Sequence, residues 1–457
     1  MDKFFKITEH GSTVKTEIIA GFTTFFAMAY IIFVNPNQVT GFTEGLSNIW
    51  NAVYVASILA ATIGTLLMAL YAKMPFAQAC GMGLNSFFFV SFILPQVIAG
   101  GDCVQGYQAG LVIVLISGII FMILSLTGAR QYIAKAMPEC LKKAIPAGIG
   151  LFITYIGFQN VGIIQANQYT LTQFVDIHGA INGEGGIMTV LPALLALLGF
   201  LIIVILGKRN VKGNVLLGIV ITAVLYYVFS GTVPSFDITQ IGQSFKDFAD
   251  IGVTGVFQSA SWKHAFSPEF VGGVFSAILY IITFCLIDMF DTIGTLYGTA
   301  AQADLLDENG DPQNLDKCMA CDSIATVSGA VLGTSTCTTF VESASGVAAG
   351  GRTGLTSLVV SICFFVCLFL TPLASIVPAC ATAPALIYVG VLMVACVKEI
   401  DWHSIDIAVP AFLTMAMMPF SYNISYGIAF GLISYIVIKL FTGNVKQINA
   451  GTWTIGI

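Results

Sequence analysis

Two carboxylates stand three residues apart within an apolar stretch of the sequence. Asp288 and Asp291 lie in FCLIDMFDTIGTL, residues 284 to 296, which is otherwise typical of a membrane-buried helix. Positions i and i+3 share one face of a helix. A charged side chain at the bilayer centre costs about 2.5 to 3.5 kcal/mol on lenient scales, so it needs a partner, a proton or a water-filled cavity. The pair predicts a functional site. Asp291 is the stronger candidate because Gly294 permits close approach of a ligand or another helix, whereas either acid could instead be bonded to hydroxyls or backbone amides for packing alone.

A third acid, Glu342, follows a hydroxyl-rich run in STCTTFVESASG, residues 335 to 346. Threonine is β-branched and favours an extended segment, and a helix that follows would offer free N–H groups to a polar ligand. Thr336, Thr338 and Thr339 add donors and acceptors. The sequence therefore predicts a polar ligand site here, with a purely structural role for Glu342 as the alternative.

An amide and three aromatic rings occur together near residue 85. Asn85 follows GMGL, and Phe87, Phe88 and Phe89 come directly after it. A planar heterocycle is bound well by an amide together with a stacking face. The competing interpretation is that at least two of the three phenylalanines face lipid or the core.

The composition indicates a membrane protein. The 457 residues are 57% hydrophobic and 9% charged, with eleven cysteines and a net charge of −6, and the mean hydropathy is +0.89. No basic region indicates nucleic-acid binding, and the polar N-terminal segment lacks the features of a signal peptide. The cysteines lie mostly in apolar runs and predict no disulfide framework. None of the four histidines falls in a predicted span, which argues against haem and His-metal sites.

Apolar runs define the elements that position these residues. Eight runs approach the ~20 residues needed to span a bilayer, at 16–35, 51–72, 109–128, 189–207, 213–231, 274–297, 355–372 and 422–441. Six shorter or Gly/Pro-interrupted candidates lie near 79–95, 145–164, 318–333, 334–349, 379–397 and 405–419. The sequence therefore predicts an all-α polytopic protein with about fourteen transmembrane segments.

The basic residues orient these spans. A cytoplasmic N-terminus places 16 of the 18 Lys and Arg residues inside, including Arg130, Lys135 and Lys446, and only Lys246 and Lys263 outside. This distribution follows the positive-inside rule. Both termini are therefore expected in the cytoplasm.

Seven plus seven spans with both ends on one side predict an inverted repeat. The third and tenth segments, AQACGMGLNSFFFVSF and GTSTCTTFVESASGVAAGG, each begin with Gly and small polar residues and become more helical. Irregular backbone at membrane depth is tolerated only where it is buried or lines a cavity. Interrupted segments at corresponding positions therefore predict a substrate site near the midplane.

With these motifs in place, the sequence closely resembles the AzgA-like purine permeases of the nucleobase-ascorbate/nucleobase-cation symporter superfamily. The resemblance covers essentially the whole chain and depends on GFTTFFAMAYIIFVNP, GMGLNSFF, DMFDTIGTLYGTA and GTSTCTTFVESASGVAAGGRTGL. It implies a core domain of segments 1–4 and 8–11, a gate domain of segments 5–7 and 12–14, and short strands in segments 3 and 10 that cross beside the site. The corresponding boundaries are 1–128 and 232–372 for the core, and 129–231 and 373–457 for the gate.

The resemblance also implies which residues act. Asp291 and Glu342 match the acids that bind the nucleobase, and Thr295 replaces a histidine of the uracil branch, which favours the purine branch. We expect the proton to be carried by Asp291 or Glu342, without choosing between them. The remaining expected site residues are Asn85, Thr295, Thr338, Asp288 and the backbone around Phe87 and Phe340.

The predicted function is proton-coupled uptake of adenine, guanine or hypoxanthine by alternating access across a bacterial inner membrane. We expect the chain not to be an enzyme and to need no metal or cofactor. Sodium is the alternative to the proton as the coupling ion. The expected partners are a purine, the lipid bilayer and, as one option, a second copy of the chain. The alternatives are a SulP-like anion transporter of the same fold, whose substrate two site acids would repel, and a membrane enzyme or channel.

Overall fold

The computed structural model describes residues 2–127, 137–182, 186–302, 305–307, 311–444, 448 and 452–453. Arg130, Lys135 and Lys446, three of the basic residues expected inside, lie outside these described residues, as does the predicted domain boundary at 128/129. Among the described residues, ten helical segments are long and apolar enough to span a membrane, and two shorter apolar helices accompany them. The chain is thus a mostly helical multi-pass membrane protein, whereas the fourteen-segment inverted repeat stays a prediction.

The helices follow the predicted apolar runs with shifted ends. The longest, expected over 274–297, runs from Gly273 to Gln302. In chain order the helices are α1 (Asp2–Phe5), α2 (Val14–Met28), α3 (Ile31–Thr40), α4 (Ser47–Leu67), α5 (Met82–Phe88), α6 (Leu94–Ala99), α7 (Cys103–Thr127), α8 (Glu139–Asn160), α9 (Ile177–Asn182), α10 (Ile187–Lys208), α11 (Asn214–Ser230), α12 (Thr239–Asp247), α13 (Ser259–Ala265), α14 (Gly273–Gln302), α15 (Leu315–Leu332), α16 (Ser343–Ala348), α17 (Gly354–Val366), α18 (Thr371–Ala374), α19 (Ala379–Val394), α20 (Ile405–Phe420) and α21 (Ile424–Phe441).

The chain divides into two compact units, residues 1–122 with 176–385 and residues 123–175 with 386–457. In the first unit, α4 packs against α3, α12, α15 and α17. Small residues permit this packing: a Cβ on Gly64 would lie 2.8 Å from the Ala325 side chain. Helix α4 also contacts the two short strands of this unit. The predicted core and gate domains stay a prediction.

Two three-residue strands of the first unit come from distant parts of the sequence. Strand β1 (Gln78–Cys80) pairs antiparallel with β4 (Cys337–Thr339). Each strand is followed by a short helix, α5 after β1 and α16 after β4. Pairing satisfies backbone N–H and C=O groups that would otherwise be unbonded at membrane depth. The third and tenth predicted segments are therefore joined through their extended parts.

A glycine fixes the end of the helix that leads into β4. Gly333 ends α15 with a left-handed φ of 108°, and a Cβ there would lie 2.7 Å from both Gly252 Cα and the Tyr107 hydroxyl. Any other residue would be strained in this conformation and would also collide with these atoms. Gly333 thus sets the direction in which the chain enters the strand.

The second unit contains α8, α20, α21 and a hairpin that the sequence reasoning did not predict. Strands β2 (Ile164–Asn167) and β3 (Leu171–Phe174) pair antiparallel, and the β3 residues are exposed. Asn423 caps α21, because its side-chain oxygen accepts from the Ser425 N–H at 2.9 Å. The unit therefore combines packed helices with a polar surface hairpin.

Candidate functional site

The two principal predicted acids lie on elements of the first unit that touch each other. Asp291 is on α14, which contacts both β4 and α16, and Glu342 immediately precedes α16. The Asp291 carboxyl interacts with the Thr338 side chain and electrostatically with Glu342. The structure thus brings together Asp291, Glu342 and Thr338, three of the residues predicted to form the site.

Glu342 is held by an aromatic hydroxyl from the first span. The Tyr30 hydroxyl donates to Glu342 Oε1 at 2.5 Å, and Tyr30 is fully buried. A hydrogen bond to a carboxylate is shorter and stronger than one between neutral groups. Tyr30 therefore fixes the direction of one carboxylate oxygen, a role that the sequence reasoning missed because a tyrosine within an apolar run carries no distinguishing signal.

Open space lies along the Asp291 face of α14. A Cβ added to Gly294 or to Gly298 would meet no heavy atom within 4 Å among the described residues. These glycines follow Asp291 by three and seven positions and so share its face of the helix. Gly294 therefore leaves room for at least a methyl-sized group on the helix face that carries the acid.

A buried hydrogen-bonded network supports this face from behind. The Thr292 hydroxyl donates to Asp322 Oδ2 at 2.6 Å and lies 2.9 Å from the Thr338 hydroxyl. The Gln78 amide donates to Asp322 Oδ1 at 3.0 Å. This network joins α14, α15 and both strands. The sequence reasoning missed Asp322 and Gln78, although an acid inside the apolar run 318–333 was a usable signal.

Asp288 points into the protein beside this network. It is 1% exposed, and its Oδ2 accepts from the Thr326 hydroxyl at 2.7 Å. Its Oδ1 has no hydrogen-bond partner among the described residues. The predicted packing alternative, an acid bonded to a hydroxyl, describes the observed contact of Asp288.

Asn85 is also fully buried and keeps a spare donor. The Ser335 hydroxyl donates to Asn85 Oδ1, whereas Asn85 Nδ2 and the Thr336 hydroxyl have no partner among the described residues. Buried polar atoms are nearly always bonded, so unpaired ones often mark a place for water or a ligand. Asn85 thus retains hydrogen-bonding capacity within α5.

The remaining predicted residues have packing or backbone roles in this structure. The Phe87 ring packs against Phe284 and Tyr280, with ring centroids 5.2 and 5.8 Å apart. The Phe340 N–H donates to the Ala77 carbonyl at 3.0 Å. Thr295 is 7% exposed and lies one turn after Asp291. Phe87 therefore belongs to an aromatic cluster, with its ring committed to packing.

The structure brings together the carboxyls of Asp291 and Glu342 and the Thr338 hydroxyl, and Asn85 lies on α5, which contacts α14. Among the described residues, no group of three or more His, Cys, Asp or Glu side chains could hold a metal ion. Carboxylates accept hydrogen bonds, and the Asn85 amide can donate one. The arrangement suits an uncharged polar ligand that offers N–H groups to the two acids.

Comparisons with known proteins give the family. The chain is 43% identical to the guanine/hypoxanthine permease PbuG of Bacillus subtilis, over 98% of this chain and 96% of that protein. It is 38% identical to the adenine permease AdeP of Escherichia coli, over 98% of this chain and 92% of that protein. The transmembrane domain of the cyanobacterial bicarbonate transporter BicA has a similar fold, with a TM-score of 0.58, 15% identity and coverage of 92% of this chain and 97% of that one.

The family match extends over most of the sequence. The profile described as the Permease family matches residues 15–430. This match and the full-length relatives confirm the resemblance drawn from the motifs, and they confirm that the protein is a transporter and not an enzyme. The chain therefore belongs to the Permease family.

Proposed function

We propose that the protein takes up purine nucleobases, namely adenine, guanine or hypoxanthine, across a bacterial inner membrane. The observation that carries the proposal is the contact of α14 with α16, which brings Asp291 and Glu342 into electrostatic interaction near Gly294. The names of the relatives support this substrate class, because they are guanine/hypoxanthine and adenine permeases.

The chemistry of a purine suits these groups. Its ring N–H and amino groups are donors, which two carboxylates accept, while Thr338 and the spare Asn85 amide complement its acceptors. Tyr30 holds Glu342 in one direction, so less conformational freedom is lost when the ligand binds. Purine recognition therefore depends on acids that are already positioned.

Proton coupling follows from the cost of these acids in a membrane. An ionised carboxylate within the bilayer is unfavourable in free energy. A proton taken up by Asp291 or Glu342 therefore lowers the free energy needed to move the substrate-bound site across the membrane. Each proton entering down the membrane potential supplies about 2.3 kcal/mol per 100 mV. Transport would proceed by alternating access between the predicted core and gate domains, with both termini in the cytoplasm.

A SulP-like anion transporter is the second candidate, and the fold similarity to a bicarbonate transporter favours it. That similarity at 15% identity concerns the fold alone. Two carboxylates would repel an anion, and no Lys or Arg accompanies them in the contacts described above. Competition by unlabelled purines against sulfate and bicarbonate separates the two proposals.

The test is uptake of labelled purine by proteoliposomes that contain the purified chain. Asp291→Asn and Glu342→Gln should each abolish accumulation, whereas Asp250→Asn, which changes an exposed acid, should leave it unchanged. A protonophore should stop accumulation, and removal of sodium should not. Full accumulation by both site variants would reject the assignment.

A further inference from the structure

Two thiols face each other where the strands β1 and β4 pair. Cys80 and Cys337 are directly opposite in the register, and their Sγ atoms lie 3.9 Å apart. Both residues are fully buried and neither is in a disulfide. The proposed transport function uses these strands but not their thiols.

The hydrogen-bond pattern identifies the kind of pair. The Gly81 N–H donates to the Thr336 carbonyl and the Phe340 N–H donates to the Ala77 carbonyl, both at 3.0 Å. Hydrogen-bonded and non-hydrogen-bonded pairs alternate along an antiparallel ladder. The pair between Cys80 and Cys337 is therefore non-hydrogen-bonded, the type with the closest Cα approach, about 4.5 Å. That separation lies within the range of about 4.4 to 6.8 Å that a disulfide spans.

A small cavity lies beside Cys80. A cavity of ≈10 Å³ is lined by Ile31, Ser57, Ala79 and Cys80, among others, and this is about the volume that one water molecule requires. The Thr334 hydroxyl lies 3.3 Å from Cys80 Sγ, and a hydrogen bond donated to a thiolate favours that charged form. A cavity this small excludes a bulky disulfide reagent and favours the smallest thiol oxidants, of which hydrogen peroxide is one.

We propose that Cys80 and Cys337 form an oxidative modification site, at which hydrogen peroxide joins the two strands by a disulfide and lowers transport. In this step two S–H bonds and the O–O bond break, while one S–S and two O–H bonds form. The two thiols lose two electrons and hydrogen peroxide is reduced to two waters. The effect on transport, though not the chemistry, rests on the proposed function.

The disulfide would disturb the candidate site through the backbone. An S–S bond of about 2.05 Å must replace the observed 3.9 Å separation. Cys337 is tied to Thr326, whose hydroxyl oxygen accepts from the Cys337 N–H at 3.1 Å and lies 2.9 Å from the Cys337 carbonyl oxygen. The adjacent Thr338 interacts with Asp291. Displacing one such hydrogen-bonded side chain costs about tenfold in affinity.

The first measurement is chemical and needs no substrate. The purified full-length chain is treated with hydrogen peroxide, its free thiols are blocked, and its peptides are mapped by mass spectrometry with and without reductant. We expect a peptide pair joined through Cys80 and Cys337 that disappears on reduction. Absence of this pair from the oxidised wild-type chain would overturn the proposal, whatever the protein transports.

The second measurement is purine uptake before and after peroxide. Uptake should fall about tenfold in the wild-type chain and recover with reductant, whereas Cys80→Ala and Cys337→Ala should be insensitive. Cys363→Ala, which removes a half-buried thiol of α17, should behave as wild type. Unchanged uptake in a chain that carries the disulfide would refute the proposed inhibition. An equal loss of uptake in Cys80→Ala and in the wild-type chain after peroxide would also refute it. A wild-type chain that takes up no purine would instead refute the proposed function.

Discussion

Replacing Tyr30 by phenylalanine removes one hydroxyl and leaves the buried ring in place. That hydroxyl donates to Glu342 Oε1 at 2.5 Å. A hydrogen bond to a charged group contributes about 1.5 to 3 kcal/mol, which corresponds to roughly 10- to 150-fold in a dissociation constant. The Glu342 side chain is only partly buried, so water can replace part of the lost bond. We therefore expect the purine Kd of Tyr30→Phe to rise about tenfold.

The assay is equilibrium binding of labelled purine to the purified chain, with thermal unfolding measured in parallel. Tyr54→Phe is the matched control, because the buried Tyr54 hydroxyl donates to the Cys367 carbonyl at 2.7 Å. Both variants should lose about 1 kcal/mol of stability, but only Tyr30→Phe should lose affinity. Equal Kd values for wild type and Tyr30→Phe would show that Tyr30 does not position Glu342. An equal loss of purine affinity in Tyr30→Phe and Tyr54→Phe would show the same.

Substitutions at three further positions test other parts of the site and its support. Gly294→Ala should fold and transport normally because its Cβ meets no heavy atom within 4 Å, whereas Gly294→Phe should fill that space and abolish purine binding with little change in melting temperature; a binding-competent Gly294→Phe would contradict this. Thr292→Val removes the donor to Asp322 and should cost about 1 to 3 kcal/mol of stability, with Thr292→Ser restoring it in the same unfolding assay. Glu17→Gln weakens the bond from the Thr356 hydroxyl, at 2.6 Å, and should lower the melting temperature while purine Kd stays constant; a changed Kd would place Glu17 in the binding machinery.

The long helices could be predicted from the sequence because apolar length is a local property. The run 274–297 becomes Gly273–Gln302, and the two acids within it were identifiable as polar interruptions of an apolar run. The extended character of the stretch around Thr338 was likewise expected from its β-branched residues. These inferences need only the residue and its neighbours in sequence.

The parts that the sequence did not reveal depend on distant contacts. Gln78 and Asp322 are 244 positions apart, and nothing local indicates that they bond. Asp322 lies in a short apolar run, whose composition predicts a span but does not indicate a partner for a buried carboxylate. The exposed hairpin β2–β3 was missed because a short polar segment gives no strong periodic signal. Hydrogen bonds between residues so far apart in sequence can be predicted only when the register of the strands is known.

The strand pairing also explains why binding and support are separable in this protein. Neighbouring residues of α14 make different contacts: Asp291 interacts with Glu342, whereas Thr292 bonds to Asp322 and lies 2.9 Å from the Thr338 hydroxyl. Thr338 takes part in both sets of contacts, because its side chain interacts with Asp291 as well. A change at Asp291 should therefore alter affinity alone, and a change at Thr292 should alter stability first. A substitution of Thr338 should change affinity and stability together, because β4 holds its side chain between Asp291 and the network of Thr292 and Asp322.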